Sequence, residues 1–317
     1  MRFISVLLHL ILTSHGHLRG ERDLVPEPEM TWSLDTVKCE NKATRDCSTC
    51  ITRGPINLCG VKTAFEKAGQ EVRGCTVSNL CGDSKTHEDQ LPEKAKRFLN
   101  TSRGSFDWLA SEPELIEAAK SGEDISPVAY PHAATDLREA INRSAGLTDK
   151  DVLVAGSISP WIESIVKMYS PRSITTSDYT ERRIRSNLTK FVKVESLHSI
   201  QAKFDVVLSF SSIEHDGLGR YCDPINPDGD KAAMKEFHQL LRPGGMLFLG
   251  VPVDGSLKKT RVENNRQRIY SRDGLEALAC GFDNVQIVDT HYGLKNAVKI
   301  PWKHQPWFIL HRANHSA

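Results

Sequence analysis

The sequence predicts an α/β fold built on a doubly wound, Rossmann-like and mostly parallel sheet, and three observations lead to this prediction. Phe204–Phe210 is a short, largely apolar run without polar alternation, which is typical of a strand buried on both faces. An amphipathic helix follows this run. Arg242-Pro243-Gly244-Gly245 is expected to end that helix before the next apolar run, Met246–Gly250. A strand, a helix and a parallel strand in this order form a right-handed crossover.

The same alternation is expected throughout residues 135–313. Thr135 is predicted to cap a first helix, a second helix carries Trp161, and a basic helix is predicted at Thr180–Lys190. Ser271 is predicted to start a later helix. The other predicted strands are Asp151–Ser157, Ser173–Asp178, Phe191–Glu195, Val285–Val288 and Trp307–Leu310. Strands and helices that alternate at this spacing are typical of a doubly wound sheet.

Residues 1–16 are predicted to be a signal peptide. Arg2 precedes an apolar stretch from Phe3 to Leu12, and Thr13–Gly16 fits a small-x-small cleavage site. The stretch is shorter than the roughly 20 residues that cross a bilayer. A buried element of a cytosolic domain and an uncleaved membrane anchor are the alternatives. Residues 17–38 are expected to form a polar linker.

Six of the eight cysteines lie in residues 39–81, which we expect to be a small, disulfide-stapled segment. These candidate disulfide residues are Cys39, Cys47, Cys50, Cys59, Cys75 and Cys81. Zinc binding is the alternative, because Cys47 and Cys50 form a CxxC pair, but a second pair at finger spacing is missing. Cys280 is expected to be a small buried side chain. Residues 82–134 are expected to be a helical connecting region, with helices at Glu93–Leu99 and Pro113–Ala119.

Glycosylation sequons support entry into the secretory pathway, and the protein is expected to be lumenal or secreted. The four acceptor asparagines are Asn100, Asn142, Asn187 and Asn314. The charge is nearly balanced, with 41 basic and 40 acidic residues, so a nucleic-acid partner is not expected. No membrane contact is expected beyond the signal segment.

Reactive side chains are concentrated where the predicted parallel strands end. Gly156 follows the first strand, Asp178 ends the second, and Ser211-Ser212-Ile213-Glu214-His215-Asp216 follows the fourth. Such sheets bind ligands beyond the carboxyl ends of their strands, where a glycine lets the main chain approach and a carboxylate accepts hydrogen bonds from ribose. A single glycine disfavours a pyrophosphate-containing dinucleotide, whereas a ligand without phosphates makes a smaller demand.

Residues from about 150 to 253 resemble class I S-adenosylmethionine-dependent methyltransferases, especially the type 11 kind. Gly156, Asp178, Phe204–Val207 and the segment Leu240-Leu241-Arg242-Pro243-Gly244-Gly245-Met246-Leu247 carry this resemblance. The whole chain, and Ser209–Pro252 above all, also resembles an uncharacterised family known mainly from nematodes. Two positions depart from the methyltransferase pattern. Ala155 stands where the family usually has an acid, and Ile158 stands where it has a second glycine.

The resemblance implies S-adenosylmethionine as the cofactor and assigns the residues around it. Gly156 and Ser157 would be main-chain neighbours of its methionine part. Asp178 would bind the ribose, and Glu195 would lie near the adenine amine. Ser211-Ser212-Ile213 would line its other side.

Methyl transfer to a hydroxyl needs aligned reactants and a base that accepts the hydroxyl proton. His215 is the predicted catalytic base, with Glu214 or Asp216 assisting it. In the alternative interpretation, His215 only caps the strand end or hydrogen-bonds the next loop. The acceptor is expected to be a small-molecule or glycan hydroxyl.

The loop over residues 217–230 is rich in Gly, Pro, Asp and Asn, and we expect it to form a substrate lip. Arg220, Tyr221 and Asp223 are the predicted contacts. The acids of the loop do not fit a calcium-loop register, so no metal site is predicted. Asp230 is expected to cap the following helix.

The sequence thus predicts a methyltransferase-like enzyme of the secretory pathway. A catalytically inactive, secreted binding or structural module that keeps the Rossmann-like frame is the main alternative. A pocket beside Gly156 that is filled by Trp161 or Pro160 would indicate this module. A nucleotide-sugar-using enzyme is a third hypothesis, although the sequence offers no evident phosphate cradle.

Overall fold

The computed structural model describes residues 58–73, 91–100, 105–179, 181–184, 186–201, 203–221, 223–290 and 305–314. The predicted signal peptide and linker lie outside these residues. So do five of the six candidate disulfide cysteines, whereas Cys59 falls within a helix.

Within the described residues, the chain forms six α-helices, twelve strands and three shorter 3-10 helices. The α-helices are α1 (Leu58–Lys67), α2 (Trp108–Lys120), α3 (Ala133–Arg143), α4 (Trp161–Lys167), α5 (Gly229–Leu240) and α6 (Arg272–Leu278). The strands are β1 (Glu71–Arg73), β2 (Leu99–Asn100), β3 (Ser105–Phe106), β4 (Asp151–Ala155), β5 (Ser173–Asp178), β6 (Thr189–Lys193), β7 (Phe204–Phe210), β8 (Leu241–Gly250), β9 (Arg261–Glu263), β10 (Gln267–Ile269), β11 (Asp283–Val288) and β12 (Trp307–His311). The 3-10 helices are Glu93–Phe98, Val194–Ser199 and Ile213–His215.

Seven strands form the central sheet in the order β11-β12-β8-β7-β4-β5-β6. The neighbours from β8 to β6 run parallel, whereas β12 is antiparallel to both β8 and β11. Successive strands leave β4 in one direction and β7 in the other, so the switch point of the sheet lies between these two strands. The predicted fold class is therefore confirmed: an α/β fold on a doubly wound, Rossmann-like and mostly parallel sheet.

Alternate residues of the central strands face two different cores. Val152 and Val154 of β4 pack into a core that also contains α2, α3 and α4. Leu153 faces the other core, which contains α5 and α6. Because both faces are covered, β4 and β7 are apolar almost throughout, as expected of parallel strands. Leu91 and Trp108, from the predicted connecting region 82–134, also belong to the first core.

Several predicted elements match the structure closely, but the basic helix at Thr180–Lys190 is wrong. Residues 181–184 form no helix, and β6 begins at Thr189. Ile184 and Leu188 pack against the core, and Arg182 forms an ion pair with Asp178 at the end of β5. We attribute the non-helical connection to these tertiary contacts, which can override a modest helical propensity.

Two predicted helix caps are also wrong. Helix α3 begins at Ala133 after His132, whose φ is 71°, and not at a cap formed by Thr135. Asp230 lies inside the first turn of α5, where its carboxylate accepts a hydrogen bond from Tyr270 Oη (2.9 Å). Ser271 does cap α6, because its Oγ accepts a hydrogen bond from the main-chain N–H of Gly274.

Two further expectations fail. Helix α5 does end before Arg242–Gly245, at Leu240, but this segment lies within β8 and does not precede that strand. Cys280 is exposed and disulfide-bonded, and not a small buried side chain.

A second small sheet, which the sequence pattern did not reveal, joins distant parts of the chain. Strand β1 pairs with β9 in parallel, and β10 pairs with β9 in antiparallel orientation. These strands have only three residues each, too few for a clear periodic signal. Among the helices that the structure describes, none combines the length and apolar composition of a membrane crossing.

A buried carboxyl group connects α4 to the ends of β4 and β5. Glu163 is fully buried, and its Oε1 accepts a hydrogen bond from Thr176 Oγ1 (2.9 Å). Its Oε2 lies 3.0 Å from Ser157 Oγ, which also contacts Ser159 O at 3.0 Å. Ser157 has one hydroxyl proton and can donate to only one of these two oxygens. If it donates to Ser159 O, the hydrogen bond to Glu163 forms only when Glu163 is protonated and is itself the donor. Burial raises the pKa of Glu163 to about 7, in agreement with this arrangement.

We expect Glu163→Gln to flatten the pH dependence of stability. A carboxyl whose pKa rises from 4.5 to about 7 on folding stabilises the fold fully below pH 4.5, and this contribution is lost as the pH rises through 7. An amide keeps the same hydrogen bonds without ionising. The variant should therefore be more stable than wild type at pH 8, by up to about 3 kcal/mol, and similar to it at pH 4.5.

Urea unfolding between pH 4.5 and 8 measures this difference. Glu117→Gln, an exposed substitution on α2, is the matched control and should leave the pH dependence unchanged. Equal pH slopes for Glu163→Gln and wild type would contradict the assignment of a neutral Glu163.

Candidate functional site

A cleft of about 290 Å³ opens at the carboxyl ends of β4, β5, β6 and β7. This is the edge at which a doubly wound sheet binds its ligand. Its apolar wall contains Val194, Leu197, Ile213 and Phe237, and the exposed ring of Tyr179 lies on the same cleft.

Gly156 forms the bare part of the cleft wall, directly after β4. Its φ is 76°, a left-handed conformation that favours glycine, and its N–H donates to Ser177 O (2.8 Å). A Cβ at this position would lie 2.0 Å from Ser212 Oγ, and Ser212 also lines the cleft. The side chain of Ser157 turns away from the cleft to Glu163, so only its main chain is available for the predicted cofactor contact.

The two predicted adenosine-binding acids lie beside the cleft and not on its wall. The Asp178 carboxylate accepts from Arg182 Nη2 at 3.3 Å, and both side chains are largely buried. Tyr179, the next residue, lines the cleft instead. Glu195 is exposed on the 3-10 helix after β6, where Val194 and Leu197 supply the wall.

Ser211 is the centre of a hydrogen-bond network on the other side of the chain from Ser212. Its Oγ lies 2.8 Å from Tyr130 Oη and 2.8 Å from Glu214 Oε1. Gln305 Nε2 donates to the same Oγ at 3.1 Å. Ser211 has a φ of 48°, which is unusual for a residue other than glycine.

Glu214 and His215, the predicted catalytic pair, are both buried, at 0% and 3% exposure. Glu214 Oε1 lies 3.5 Å from His215 Nε2, and burial raises the pKa of Glu214 to about 7. His215 Nδ1 lies 2.7 Å from Arg266 O, and Arg220 Nη1 lies 3.0 Å from Nδ1 and 3.3 Å from Nε2. Burial, followed by the charge of Arg220, lowers the pKa of His215 well below its usual value.

A neutral His215 donates from Nδ1 to Arg266 O, and the Arg220 guanidinium lies against both ring nitrogens. Because both ring nitrogens are engaged, this placement does not support a role as the base that meets the acceptor. The catalytic role of His215 stays a prediction.

The three predicted lip residues have different environments. Arg220 is 1% exposed and lies inside the fold beside His215, so it is not on the surface of a lip. Asp223 lines the cleft, and its carboxylate accepts from the N–H groups of Gly217 (2.6 Å), Gly219 (3.3 Å) and Tyr221 (3.1 Å). Tyr221 is half-buried and stacks on Tyr179, with ring centroids 6.2 Å apart.

The lining residues of the cleft include three acids and neither Lys nor Arg. Asp216 and Glu236 join Asp223 on the wall. The pKa of Asp216 is raised well above its usual value, first by burial and then by the charge of Asp223. Glu236 was not predicted to line the cleft. It lies on α5 next to Phe237, an apolar residue of that helix, and this position could have indicated that it lies near this edge.

Arg268 supports the main chain of residues that form the cleft wall, and no sequence pattern predicted this role. The guanidinium is fully buried and donates to four main-chain carbonyl oxygens. These are Glu214 O (3.3 Å), Asp216 O (2.6 Å), Asn226 O (3.3 Å) and Pro227 O (3.2 Å). Since Arg268 lies on the short strand β10, far away in sequence, no local pattern connects it to the cleft.

The described residues contain no cluster of three or more His, Cys, Asp or Glu side chains arranged to hold a metal ion. Of the four sequon asparagines, Asn142, Asn187 and Asn314 are exposed, and the side chain of Asn100 lies outside the described residues.

Residues 149–301, slightly less than half of the chain, match the family described as "Caenorhabditis protein of unknown function, DUF268". The predicted resemblance to an uncharacterised nematode family is confirmed for this part of the chain. No curated protein sequence matches the chain significantly.

Several solved structures are similar to this chain. The 1,6-didemethyltoxoflavin-N1-methyltransferase of Burkholderia thailandensis, with bound S-adenosylhomocysteine, is 18% identical, with coverage of 64% of this chain and 87% of that chain and a TM-score of 0.43. The N-methyltransferase NodS of Bradyrhizobium japonicum is 13% identical, with coverage of 66% and 100% and a TM-score of 0.41. An O-methyltransferase family protein of B. thailandensis is 8% identical, with coverage of 70% and 63% and a TM-score of 0.41. Neither these identities nor these TM-scores support an inference about the activity of this chain.

Gly156 lies close to Ser212. We therefore expect Gly156→Ala to be more destabilising than the same substitution at a left-handed glycine with free space around it. Gly146 is the matched control, because its φ is 72° and nothing lies within 4 Å of a Cβ built there. Gly146→Ala should cost about 1 kcal/mol of backbone strain. Gly156→Ala should cost about 2 kcal/mol more, because its methyl group meets Ser212 Oγ.

Denaturant unfolding of both variants measures the difference. Adding Ser212→Gly to Gly156→Ala should recover most of the excess. Equal destabilisation by the two alanines would show that the contact at Gly156 does not constrain the site.

Proposed function

We propose that the cleft binds S-adenosylmethionine and that the protein transfers the methyl group to a hydroxyl of a small molecule or glycan. The observation that carries this proposal is the composition of the wall, which has three carboxyl groups and no basic side chain among its lining residues. S-adenosylmethionine carries a sulfonium and an ammonium group and no phosphate. Such a ligand matches an acidic cleft at the ends of parallel strands.

The described residues fit the shape of this cofactor as well as its charge. Val194, Leu197 and Ile213 offer an apolar wall for the adenine ring, and Tyr179 offers an aromatic face. Gly156 presents main chain without a side chain to the methionine part. When bound, the cofactor supplies a methyl group attached to a sulfonium sulfur. The neutral thioether that remains after the transfer is a good leaving group. The task of the chain is therefore to align the acceptor and remove its proton.

The same observation disfavours a nucleotide-sugar as the ligand. A diphosphate would face the carboxyl groups of Asp216, Asp223 and Glu236, and the described wall has no Lys or Arg side chain to bind it. Phosphate sites instead use several main-chain N–H groups or basic side chains.

Trp161 and Pro160, which would fill the pocket of an inert module, are not among its lining residues. The ring of Trp161 packs edge-on against Phe210, with centroids 5.4 Å apart, and lies 6.3 Å from the ring of Trp307. The space beside Gly156 thus stays available for a ligand.

We also propose that the protein enters the secretory pathway. The predicted signal peptide at residues 1–16 and the exposed positions of Asn142, Asn187 and Asn314 support this proposal. An unchanged mass after enzymatic removal of N-linked glycans from the protein expressed in animal cells would contradict it.

We expect the wild-type protein to bind S-adenosylhomocysteine, the product form, in titration calorimetry. Ala232 is exposed on α5 and lines the cleft, so Ala232→Trp should fill the space and weaken binding at least roughly tenfold, equivalent to about 1.4 kcal/mol. Lys235→Trp, on the same helix but not on the cleft wall, is the matched control and should bind like wild type.

Absence of heat from the wild type at millimolar S-adenosylhomocysteine would contradict the proposal. An equal loss of affinity in both tryptophan variants would place the ligand elsewhere.

The inactive module remains the second candidate, and the Asp178–Arg182 ion pair is the observation that favours it. Asp178 is the acid expected to bind the ribose, and its carboxylate accepts from Arg182 at 3.3 Å. A chain that has lost its cofactor has no need to keep this carboxylate available.

We expect Arg182→Gln to strengthen binding of S-adenosylhomocysteine roughly fivefold if Asp178 binds the ribose, because the ligand no longer has to open the ion pair. Arg183→Gln removes the neighbouring, exposed arginine and should leave the affinity unchanged. Calorimetry on the two variants measures the difference. A lack of binding by wild type and by Arg182→Gln would favour the inactive module.

A further inference from the structure

We propose that Asp216 is the catalytic base: its carboxylate takes the proton of the acceptor hydroxyl, and the acceptor binds in the cleft between Asp216 and the methyl group of the cofactor. This inference rests on the proposed function and names the base and the acceptor position of that reaction. Asp216 takes the role predicted for His215, whose two ring nitrogens are engaged inside the fold.

The carboxylate of Asp216 has no partner in the described part of the chain. The main chain of this residue is fixed, because its N–H donates to Ile213 O (3.1 Å) and its carbonyl oxygen accepts from Arg268 Nη1 (2.6 Å). No described residue donates a hydrogen bond to its side chain, although Asp216 is only partly exposed and lines the cleft. A largely enclosed carboxylate without donors costs stability, and such groups concentrate at functional sites. The hydrogen-bonding capacity of this carboxylate is therefore available to a ligand in the cleft.

Two other carboxylates near the cleft already have partners. Asp223 accepts from three main-chain N–H groups of its own loop. Asp178 forms an ion pair with Arg182. Either group would have to give up these contacts before it could take a proton from an acceptor, whereas Asp216 would not.

Glu236, the third carboxyl group of the wall, lies toward the other end of the cleft. A Cβ at Gly229 would lie 2.6 Å from Asp216 O, so the start of α5 touches Asp216. Glu236 follows Gly229 by seven residues, which corresponds to about 10 Å along the helix. The charge of His198, on the 3-10 helix Val194–Ser199, acts on Glu236. That helix supplies the apolar wall proposed for adenine, so Glu236 is remote from the reacting carbon.

Asp216 lies near the part of the cleft proposed for the methionine end of the cofactor. Ser212, which meets Gly156 there, precedes the 3-10 turn that Asp216 ends. The N–H of His215 donates to Ser212 O (3.0 Å), which keeps this turn tight. Four residues of a 3-10 turn rise about 8 Å, so Asp216 lies within one acceptor-sized ligand of Gly156. An acceptor between the two turns can contact the methyl group and the Asp216 carboxylate at the same time.

The surroundings of Asp216 suit a group that is ionised by the cofactor. Burial raises its pKa well above the usual value, the charge of Asp223 raises it further, and Arg268 opposes both effects. Asp216 is expected to ionise when the cofactor binds, because the positive charge of the sulfonium lowers the pKa of a nearby carboxyl. The titratable and charged groups that face or act on Asp216 are Tyr179, Glu214, Asp223, Asp230 and Arg268.

The transfer of the methyl group and that of the proton balance in this arrangement. The acceptor oxygen forms a bond to the methyl carbon while the bond from that carbon to the sulfonium sulfur breaks, and the electron pair of the broken bond stays on sulfur. The acceptor proton passes directly to the Asp216 carboxylate. The positive sulfonium and the negative carboxylate thus both become neutral. Because Asp216 is partly exposed, it returns the proton to solvent once the products have left.

An acceptor-free test follows the carboxyl signal of Asp216 by carbon-13 nuclear magnetic resonance, on full-length protein with labelled aspartate and with Asp216→Asn for assignment. The signal is titrated without ligand, with S-adenosylmethionine and with S-adenosylhomocysteine. S-adenosylmethionine should shift the midpoint to a lower pH than S-adenosylhomocysteine does, because only the former carries the sulfonium charge. Asp273, exposed on α6 and outside the cleft wall, is the internal control and should keep one midpoint.

Equal Asp216 midpoints with the two ligands would overturn the assignment, since a base for this reaction has to lie beside the sulfonium. A protein that binds neither ligand would instead contradict the proposed function. The two failures are therefore distinguishable.

Urea unfolding at pH 8 tests whether the carboxylate of Asp216 serves the fold. A carboxylate without donors has no hydrogen bond to lose, and its raised pKa means that its ionised form costs stability at this pH. Asp216→Asn should therefore unfold at the same or a higher urea concentration than wild type. A lower midpoint would overturn the assignment, because the carboxylate would then stabilise the fold.

A further test measures methyl transfer from labelled S-adenosylmethionine to catechol, glucose, mannose and N-acetylglucosamine as hydroxyl probes. Asp216→Asn should lower the transfer at least roughly 100-fold and bind S-adenosylhomocysteine like wild type. Asp273→Asn is the matched control and should leave both quantities unchanged. Transfer by Asp216→Asn at the wild-type rate would overturn the assignment. So would a parallel loss of affinity for S-adenosylhomocysteine, because Asp216 would then bind the cofactor.

Discussion

The contact between the main chain at Gly156 and the hydroxyl of Ser212 is the constraint on which the site depends. It joins the turn after β4 to the turn after β7, at the point where the strand order of the sheet reverses. Because a Cβ at Gly156 would lie 2.0 Å from Ser212 Oγ, the two turns approach as closely as main chain and a small side chain permit. The cleft beside them keeps one wall of bare backbone as a result.

Two buried carboxyl groups, Glu163 and Glu214, lie close to this contact. Glu163 connects α4 to β5 through Thr176, and its neutral form satisfies its neighbours. Glu214 has an oxygen without a hydrogen-bond partner in the described part of the chain. A satisfied buried acid stabilises the fold, whereas an incompletely satisfied one costs stability and is usually kept for a function.

The sequence predicted the fold well because the parallel strands are buried on both faces and read as apolar runs. It predicted the edge at which the cleft lies for the same reason, since the carboxyl ends of parallel strands share one edge. The sequence failed where tertiary contacts decide the outcome. The connection after Asp178 is not helical, and the buried position of Arg220 follows from its contact with His215, which no local pattern contains.

Residues that act across long sequence separations were also beyond the reach of the sequence. Tyr130 and Gln305, which precede α3 and β12, meet at Ser211 after β7, and Arg268 reaches the cleft wall from β10. Side-chain direction was the other unknown. Ser211 and Ser212 were both assigned to the cofactor, yet only Ser212 lines the cleft.

Native mass spectrometry with competing ligands tests the central claim most directly. The purified full-length protein is mixed with equal concentrations of S-adenosylmethionine, a uridine diphosphate sugar and nicotinamide adenine dinucleotide. The acidic cleft predicts a complex with S-adenosylmethionine alone, which S-adenosylhomocysteine displaces. A complex with either phosphate-bearing ligand, or no complex with S-adenosylmethionine, would contradict the account.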